Sequence, residues 1–228
     1  MADSLSALDN IMWNALTGPH ARFALGEGGA RRFAPGFSPI VGFEDPEHPD
    51  FDALSRCCEP GESFYCEGWS GTAPPGWRIE LESRMVKMVW AGELPAEDAA
   101  PEARPLETQH VPQALDLATR TRPGPFGPRT IELGEYFGIF DGEKLLAMAG
   151  ERMCAGSLRE ISGVCTEPAH QGHGLARRLM LKLIRLQLLL GETPFLHVMS
   201  ANASAHALYE RMGFADYREV VVRVIARN

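Results

Sequence analysis

"REISGVCTEPAHQGHGLARRLMLKLI", residues 159–184, reads as a strand, a glycine turn and a helix in direct succession. Arg159 to Thr166 is β-branched and apolar enough for a buried strand, and Pro168 stops it. Gly172 and Gly174 then precede the helix. Glycine adopts dihedrals closed to other residues and leaves no Cβ between backbone and ligand. A helix that starts there offers unpaired N–H groups and the positive end of its dipole, which suits a phosphate. His170, His173, Arg177 and Arg178 add donors around its first turn. Leu175, Leu179, Leu183, Leu186 and Leu190 are spaced as one buried stripe, with Arg178, Lys182 and Arg185 on the other side. Taken alone, the glycines could equally make a tight loop, and the basic stripe a solvated face.

Two phosphate motifs are excluded. There is no G-x-x-x-x-G-K-[ST], and "GHGLAR" lacks both the third glycine of a dinucleotide fingerprint and its acidic partner about 20 residues on. A second constellation narrows the choice. In "NASAHALYERMGF", 202–214, Asn202 is a strong helix cap, and Asn202, Ala205 and Tyr209 share one helix face. That face carries a polar cap, a small residue and a phenol; the plainer alternative is an ordinary cap and a core tyrosine.

Around these segments lies an ordered series of elements. "VPQALDLATRT" (111–121) is an amphipathic helix with Val111, Ala114, Leu115 and Ala118 on one side. The prolines of "RPGPFGP" stiffen the loop after it. Residues 135–153 form a hairpin turning at Asp141-Gly142. "PFLHV", a short helix ended by Gly213 and "REVVVRVIA" complete the chain. Hairpins mixed with strand–helix–strand crossovers predict an α/β (α+β) fold with a mixed sheet flanked by helices.

The first hundred residues are less legible. Leu5, Leu8, Ile11 or Met12, and Leu16 recur at helical spacing, capped by Asp3 or Ser4. "RFALGEGGARRF" predicts a hairpin turning at Glu27-Gly28-Gly29, and "RMVKMVW" a buried strand or short helix. Acidic, Ala/Pro-rich "GELPAEDAAPEARP", 92–105, has no periodicity and is the expected linker. The expected domains are therefore 1–100, a smaller N-terminal α/β lobe, and 105–228.

The 228 residues are 45% hydrophobic, with 30 acidic against 22 basic side chains and a net charge of −8. Such a surface repels nucleic acid and anionic membrane, so an anionic ligand needs a local site. The start, "MADSLSALDNIMW", lacks the basic and apolar run of an export signal, and Leu179–Leu190 is too broken by Lys182, Arg185 and Gln187 to span a bilayer. Five cysteines without a CxxC pair fit reduced thiols in a cytoplasm. Cys57, Cys58, Cys66 and His48 match no zinc spacing, so no metal is expected.

Together the two constellations resemble the GNAT superfamily of N-acetyltransferases. Its acyl-CoA loop, [QR]-x-x-G-x-[GA], stands here as Gln171-Gly172-His173-Gly174-Leu175-Ala176. "VCTEP" matches the preceding strand and turn, and N-x-x-A-x-x-L-Y-E-x-x-G-F is matched from Asn202 to Phe214. The resemblance covers roughly residues 105–228 and is weak or absent before, where it suggests a degenerate GNAT-like lobe. It implies the splayed central sheet of that fold, with Ile161–Thr166 diverging from "PFLHV". It also implies acetyl-CoA as cosubstrate. Val164, Cys165 and Thr166 would pair with or polarise it, residues 171–176 would hold its pyrophosphate, and Asn202, Ala205 and Tyr209 would line the other wall.

The same resemblance implies direct attack by an amine, with Tyr209 as general acid on the departing thiolate. Glu160 stands where some members carry a base; others use a water chain. Glu135 and Glu151 are the next candidates, and His197 faces either the splay or the core. Cys165, near His170 and His197, opens a nucleophilic, hydrolase-like alternative that needs a histidine at its sulfur. A catalytically silent CoA-binding regulator is the other alternative. The acceptor, small molecule or peptide, would sit near "TRPGPFGPRTIELGEY", where Arg120, Arg122 and Arg129 suggest a carboxylate. Monomer and homodimer are both open.

Overall fold

The computed structural model describes residues 5–228, so the expected cap at Asp3 or Ser4 lies outside the described residues. A 3-10 turn, Ser6–Asn10, runs into α1 (Ile11–Thr17). Leu8, Ile11, Met12 and Leu16 are all buried, as their spacing requires. The predicted hairpin is present as β1 (Ala24–Leu25) and β2 (Ala30–Phe33), and β3 (Val41–Phe43) completes a small antiparallel sheet. The short α2 (Phe51–Ser55) starts where Asp50 Oδ1 accepts the Ala53 N–H at 2.8 Å.

From here the strands join one larger sheet. β4 (Ser63–Glu67) is followed by β5 (Trp77–Trp90), so "RMVKMVW" is the end of a long strand. Then come β6 (Arg104–Pro105), α3 (Val111–Thr121), β7 (Tyr136–Asp141), β8 (Lys144–Ala155), β9 (Leu158–Thr166), α4 (Leu175–Leu189), β10 (Thr193–Met199), α5 (Ala203–Met212) and β11 (Phe214–Arg227). The sheet order is β4-β11-β5-β10-β9-β8-β7-β6, antiparallel except at the β9–β10 junction. β11 lies between β4 and β5, so strands from both sides of residues 92–105 share this sheet. β8 is buried along all but its first residue, which explains why "LLAMAGERMCA" shows no alternation.

Two features of β9 matter for function. It pairs with β10 only from Leu158 to Glu160, opposite Thr193–Phe195. Beyond Glu160 it keeps β8 as partner while β10 keeps β5, so the expected splay opens between them. Second, Met148 pairs with Cys165 and Gly150 with Ser162, which leaves β9 one residue long for its partner. That bulge holds Gly163 at φ +63°. A Cβ there would stand 3.0 Å from the Tyr136 ring.

Helix α4 is present, but its stripe is rotated from the one expected. Leu179, Met180, Leu183 and Ile184 are fully buried, while Leu186 and Leu190 are 38% and 76% exposed. The core-facing side of the helix runs through Leu179, Met180, Leu183, Ile184 and Gln187, so Leu175 and Leu186 fall at its edge and Leu190 lies past the last helical residue. Gln187 takes the buried place and donates to Glu151 Oε1 at 2.9 Å. Nor is the basic side of α4 a solvated face. Arg178 donates to the Ala99 carbonyl, Lys182 to Asp98 and Arg185 to the Pro95 carbonyl. The acidic 92–105 stretch is thus strapped along the helix rather than hanging as a free linker.

Candidate functional site

A cleft of about 640 Å³ opens where β9 leaves β10. Val164, Cys165, Thr166, Gln171, Gly172, Gly174, Leu175 and Ala176 line one wall, and Asn202, Ala205 and Tyr209 the other. Of the residues expected at a cofactor, only His173 stays off the walls; its Nδ1 lies 3.2 Å from the His170 carbonyl. Thr121, His170, Ser204, Leu208 and Arg211 also line the cleft. His170 carried a signal, its place beside the turn. Thr121 carried none, because the end of α3 reaches the cleft only through tertiary packing.

Gly172 and Gly174 have φ of +79° and +76°, and a Cβ on either would meet nothing within 4 Å. Backbone conformation, not crowding, selects glycine at both. Gly174 caps α4 without a side-chain bond, and the first bond of the helix runs from Arg178 N–H to the Gly174 carbonyl at 3.0 Å. The N–H groups of Leu175, Ala176 and Arg177 therefore lack intrahelical acceptors. His170 Nδ1 is buried with no partner among the described residues. Unpaired donors and a helix dipole converge on this end of the cleft, a fit for a pyrophosphate. On the other wall, Asn202 Oδ1 accepts the Ala205 N–H at 3.2 Å, the expected cap. Tyr209 packs edge-on against Phe214, and burial raises its phenol above the ordinary value. At neutral pH it holds its proton.

Glu160 is placed differently from a base open to the cleft. It is 1% exposed and is not on the cleft walls. Arg152 donates to it through Nε at 3.0 Å and Nη2 at 2.6 Å, the Met153 N–H donates at 3.2 Å, and His197 Nδ1 lies 2.8 Å away. Burial pushes its carboxyl up, but Arg152 and His197 more than offset this and hold it at about 2. On the other side of His197, Glu67 Oε2 is 4.0 Å from Nε2, and Glu67 Oε1 pairs with Lys87 Nζ at 2.7 Å. Lys87, Glu67, His197, Glu160 and Arg152 thus form a buried row of charge and imidazole across the sheet. Nothing in the sequence spacing signals it, since its members come from five strands.

The other candidates separate. Glu151 is buried against Gln187 and the Glu135 N–H, and burial raises its carboxyl; the Glu135 side chain is exposed. The Cys165 thiol is pushed up to about 11 by burial, and no histidine among the described residues hydrogen-bonds its sulfur. The hydrolase alternative loses its requirement. Arg120 is clamped by Asp116 and, through two bonds, by Glu167; Arg129 is held by Glu132. The guanidinium of Arg122 has no partner among the described residues. Among the described residues no helix is long and apolar enough to cross a membrane.

Comparison with known proteins places this geometry. The family model for FR47-like proteins matches residues 136–224. A GNAT-family protein of Novosphingobium aromaticivorans, assigned as an acetyltransferase, is similar over 97% of this chain and 98% of its own. Identity is 33% and the TM-score is 0.87. A GCN5-related N-acetyltransferase of Kribbella flavida shares the fold at 17% identity and TM-score 0.60, over 95% and 94% of the chains. So does a GCN5-related N-acetyltransferase-like protein of Streptococcus suis, at 15% identity and TM-score 0.59, over 96% and 92%. No curated protein matches the sequence.

Proposed function

The chain belongs to the GNAT family of acetyltransferases, and on that premise we propose that it transfers an acetyl group from acetyl-CoA to the primary amine of an acceptor. The observation that carries this reading is the cleft. It joins the unpaired N–H groups at the start of α4, which suit a pyrophosphate, to a protonated Tyr209 on the facing wall. When bound, acetyl-CoA supplies a thioester carbon for the amine lone pair: the C–N bond forms, the C–S bond breaks, and the amine proton leaves to water.

The chain's own residues do the rest. Gln171 to Ala176 hold the anionic end. The backbone of Val164 to Thr166, freed from β10 by the splay, orients the pantetheine arm and offers N–H donors to the acyl oxygen. Tyr209 gives its proton to the departing sulfur and regains one from solvent. We assign Glu160 a structural role, because a carboxyl held near 2 and saturated with donors is a poor base. Deprotonation then falls to water. Residues 105–228 would carry this chemistry, with 1–100 as the lobe that adds β4 and β5 to the sheet. Five free cysteines suit a reducing cytoplasm.

Calorimetric titration of acetyl-CoA into the protein, beside Gly174→Glu and Gly174→Ala, tests the reading. Alanine measures the strain of a side chain at φ +76°, roughly 1 kcal/mol of stability. Glutamate adds a carboxylate where the pyrophosphate would sit. Binding to the parent that weakens slightly with alanine and is lost with glutamate supports the site. A parent that does not bind acetyl-CoA refutes it, and binding without turnover on any amine would favour a silent regulator.

A further inference from the structure

A second recess, of about 280 Å³, lies beside the cleft and is lined by Tyr65, Ala118, Thr119, Arg122, Gly124 and Phe126. The last turn of α3 borders both spaces, since Thr121 lines the cleft and Arg122 the recess. Phe126, one of its walls, sits against the bulge of β9. Phe126 packs edge-on against Tyr136 at 5.9 Å, and a Cβ on Gly163 would lie 3.5 Å from the Phe126 ring. The recess therefore adjoins the stretch of β9 that the splay releases.

Its charge is unusual for this molecule. Arg120 and Arg129 each spend their guanidinium on carboxylates, whereas Arg122 has no partner among the described residues. Arg122 is also the one described non-glycine residue at positive φ, +51°, a sparsely populated conformation for a residue with a Cβ. Glycine would fit that αL position better, so the backbone gives no reason for arginine there. A second guanidinium, Arg152, lies behind the rim at Gly124. Glu160 holds Nε and Nη2 of Arg152, while Nη1 has no hydrogen bond among the described residues. A Cβ on Gly124, at the rim, would stand 4.0 Å from that Nη1. The charge of Arg152 is balanced by Glu160, so the unpaired Arg122 carries the positive charge of the recess on a chain of net charge −8, with Arg152 Nη1 as a further donor close by.

We propose that this recess holds the acceptor and selects an amine that also bears a carboxylate, a small free amino acid or similar amino carboxylate. The inference rests on the acyltransferase reading above and names its substrate class. The carboxylate pairs with Arg122 and Arg152 Nη1, Tyr65 and Phe126 flank the carbon skeleton, and the amine faces the bulge of β9. The volume falls just below the usual range for small-molecule sites, about 300 to 1,000 Å³, and suits a molecule of few carbons rather than a protein tail.

The test titrates glycine, L-alanine, L-phenylalanine and L-aspartate, each beside its α-carboxamide, into the protein by calorimetry without donor. The same pairs are then followed by thiol release with acetyl-CoA. At least one acid should bind and be consumed, with its amide at least roughly 10-fold weaker, as loss of a charged hydrogen-bonded pair implies. Arg122→Gly should weaken the acid by about the same factor and leave the amide unchanged, while Arg122→Lys recovers part. Because glycine relieves the positive φ, its melting temperature should hold or rise, so misfolding cannot account for the loss. The proposal is overturned if amides bind as well as acids, if Arg122→Gly binds the acid like the parent, or if none of the acids binds. Acetyl-CoA titrated into the same samples separates the two readings. Bound donor without acid preference sinks only the recess; unbound donor sinks the acyltransferase, and the donor-free titration still decides the recess.

Discussion

Replacing Glu160 by Gln should cost the fold about 3 to 5 kcal/mol at neutral pH. Glutamine keeps the shape but not the charge, and presents one acceptor oxygen to donors from Arg152, Met153 and His197. Arg152 is left buried without its counter-ion, the situation in which breaking a buried pair costs roughly 3–5 kcal/mol. The ionisation of Glu160 gives a second route to the magnitude. Its carboxyl is depressed from 4.5 to about 2 in the fold, and at 1.36 kcal/mol per pKa unit this corresponds to roughly 3 kcal/mol. Because the folded value is the lower one, this stabilisation is complete above the ordinary carboxylate range. It is lost as pH falls from about 4.5 towards 2. Urea unfolding of parent and variant at a series of pH values measures both. The gap should be widest above pH 5 and close towards pH 2, where protonated Glu160 resembles glutamine. For a chain of this length the neutral-pH loss equals a fall in Tm of about 6–20 °C. A gap below about 1 kcal/mol, or one that ignores pH, would refute the ion-pair account. If stability held while the acidic limb of kcat/KM changed, Glu160 would be the base after all.

Two further substitutions test other parts of the molecule. Tyr209→Phe should bind acetyl-CoA like the parent but lower kcat about 100-fold or more, the usual range for a lost general acid, which thiol-release kinetics would show. An unchanged kcat would remove the phenol from the proton path. Gly150→Ala should lose more than about 3 kcal/mol in denaturant titration, because its Cβ would lie 2.2 Å from the Tyr136 ring, and Tyr136→Leu should restore part of the loss. If alanine were tolerated, the contact between Tyr136 and β8 would be wrong.

The glycine turn, the Asn202 cap and the Tyr209 face were legible because each is a local pattern with a fixed spacing. The order of hairpins and crossovers around them gave the fold class for the same reason. What failed was rotational phase and partner choice. In α4 the leucines suggested a face rotated from the one that packs, which Met180, Ile184 and Gln187 share with Leu179 and Leu183. The 92–105 stretch lacked periodicity because its order comes from Arg178, Lys182 and Arg185, some 80 residues distant. Glu160 was singled out by position, yet its neighbours Arg152 and His197 decide its character. Arg122 stood among three similar arginines, and only tertiary pairing shows which guanidinium is unspent.

The placement of β11 between β4 and β5 bears on how the chain is made. During synthesis, residues 63–90 emerge long before 214–227, which their sheet requires as its interior strand. At about 5–20 residues per second, the 124 residues from 90 to 214 take roughly 6–25 s. Through that interval β4 and β5 present open edges to the cell, and β5 carries Arg78, Glu80, Glu82 and Arg84 on its early half. Charged edges resist pairing with a neighbouring nascent chain. The ribosome therefore delivers the keystone last, and these charges guard the half-built sheet until it arrives.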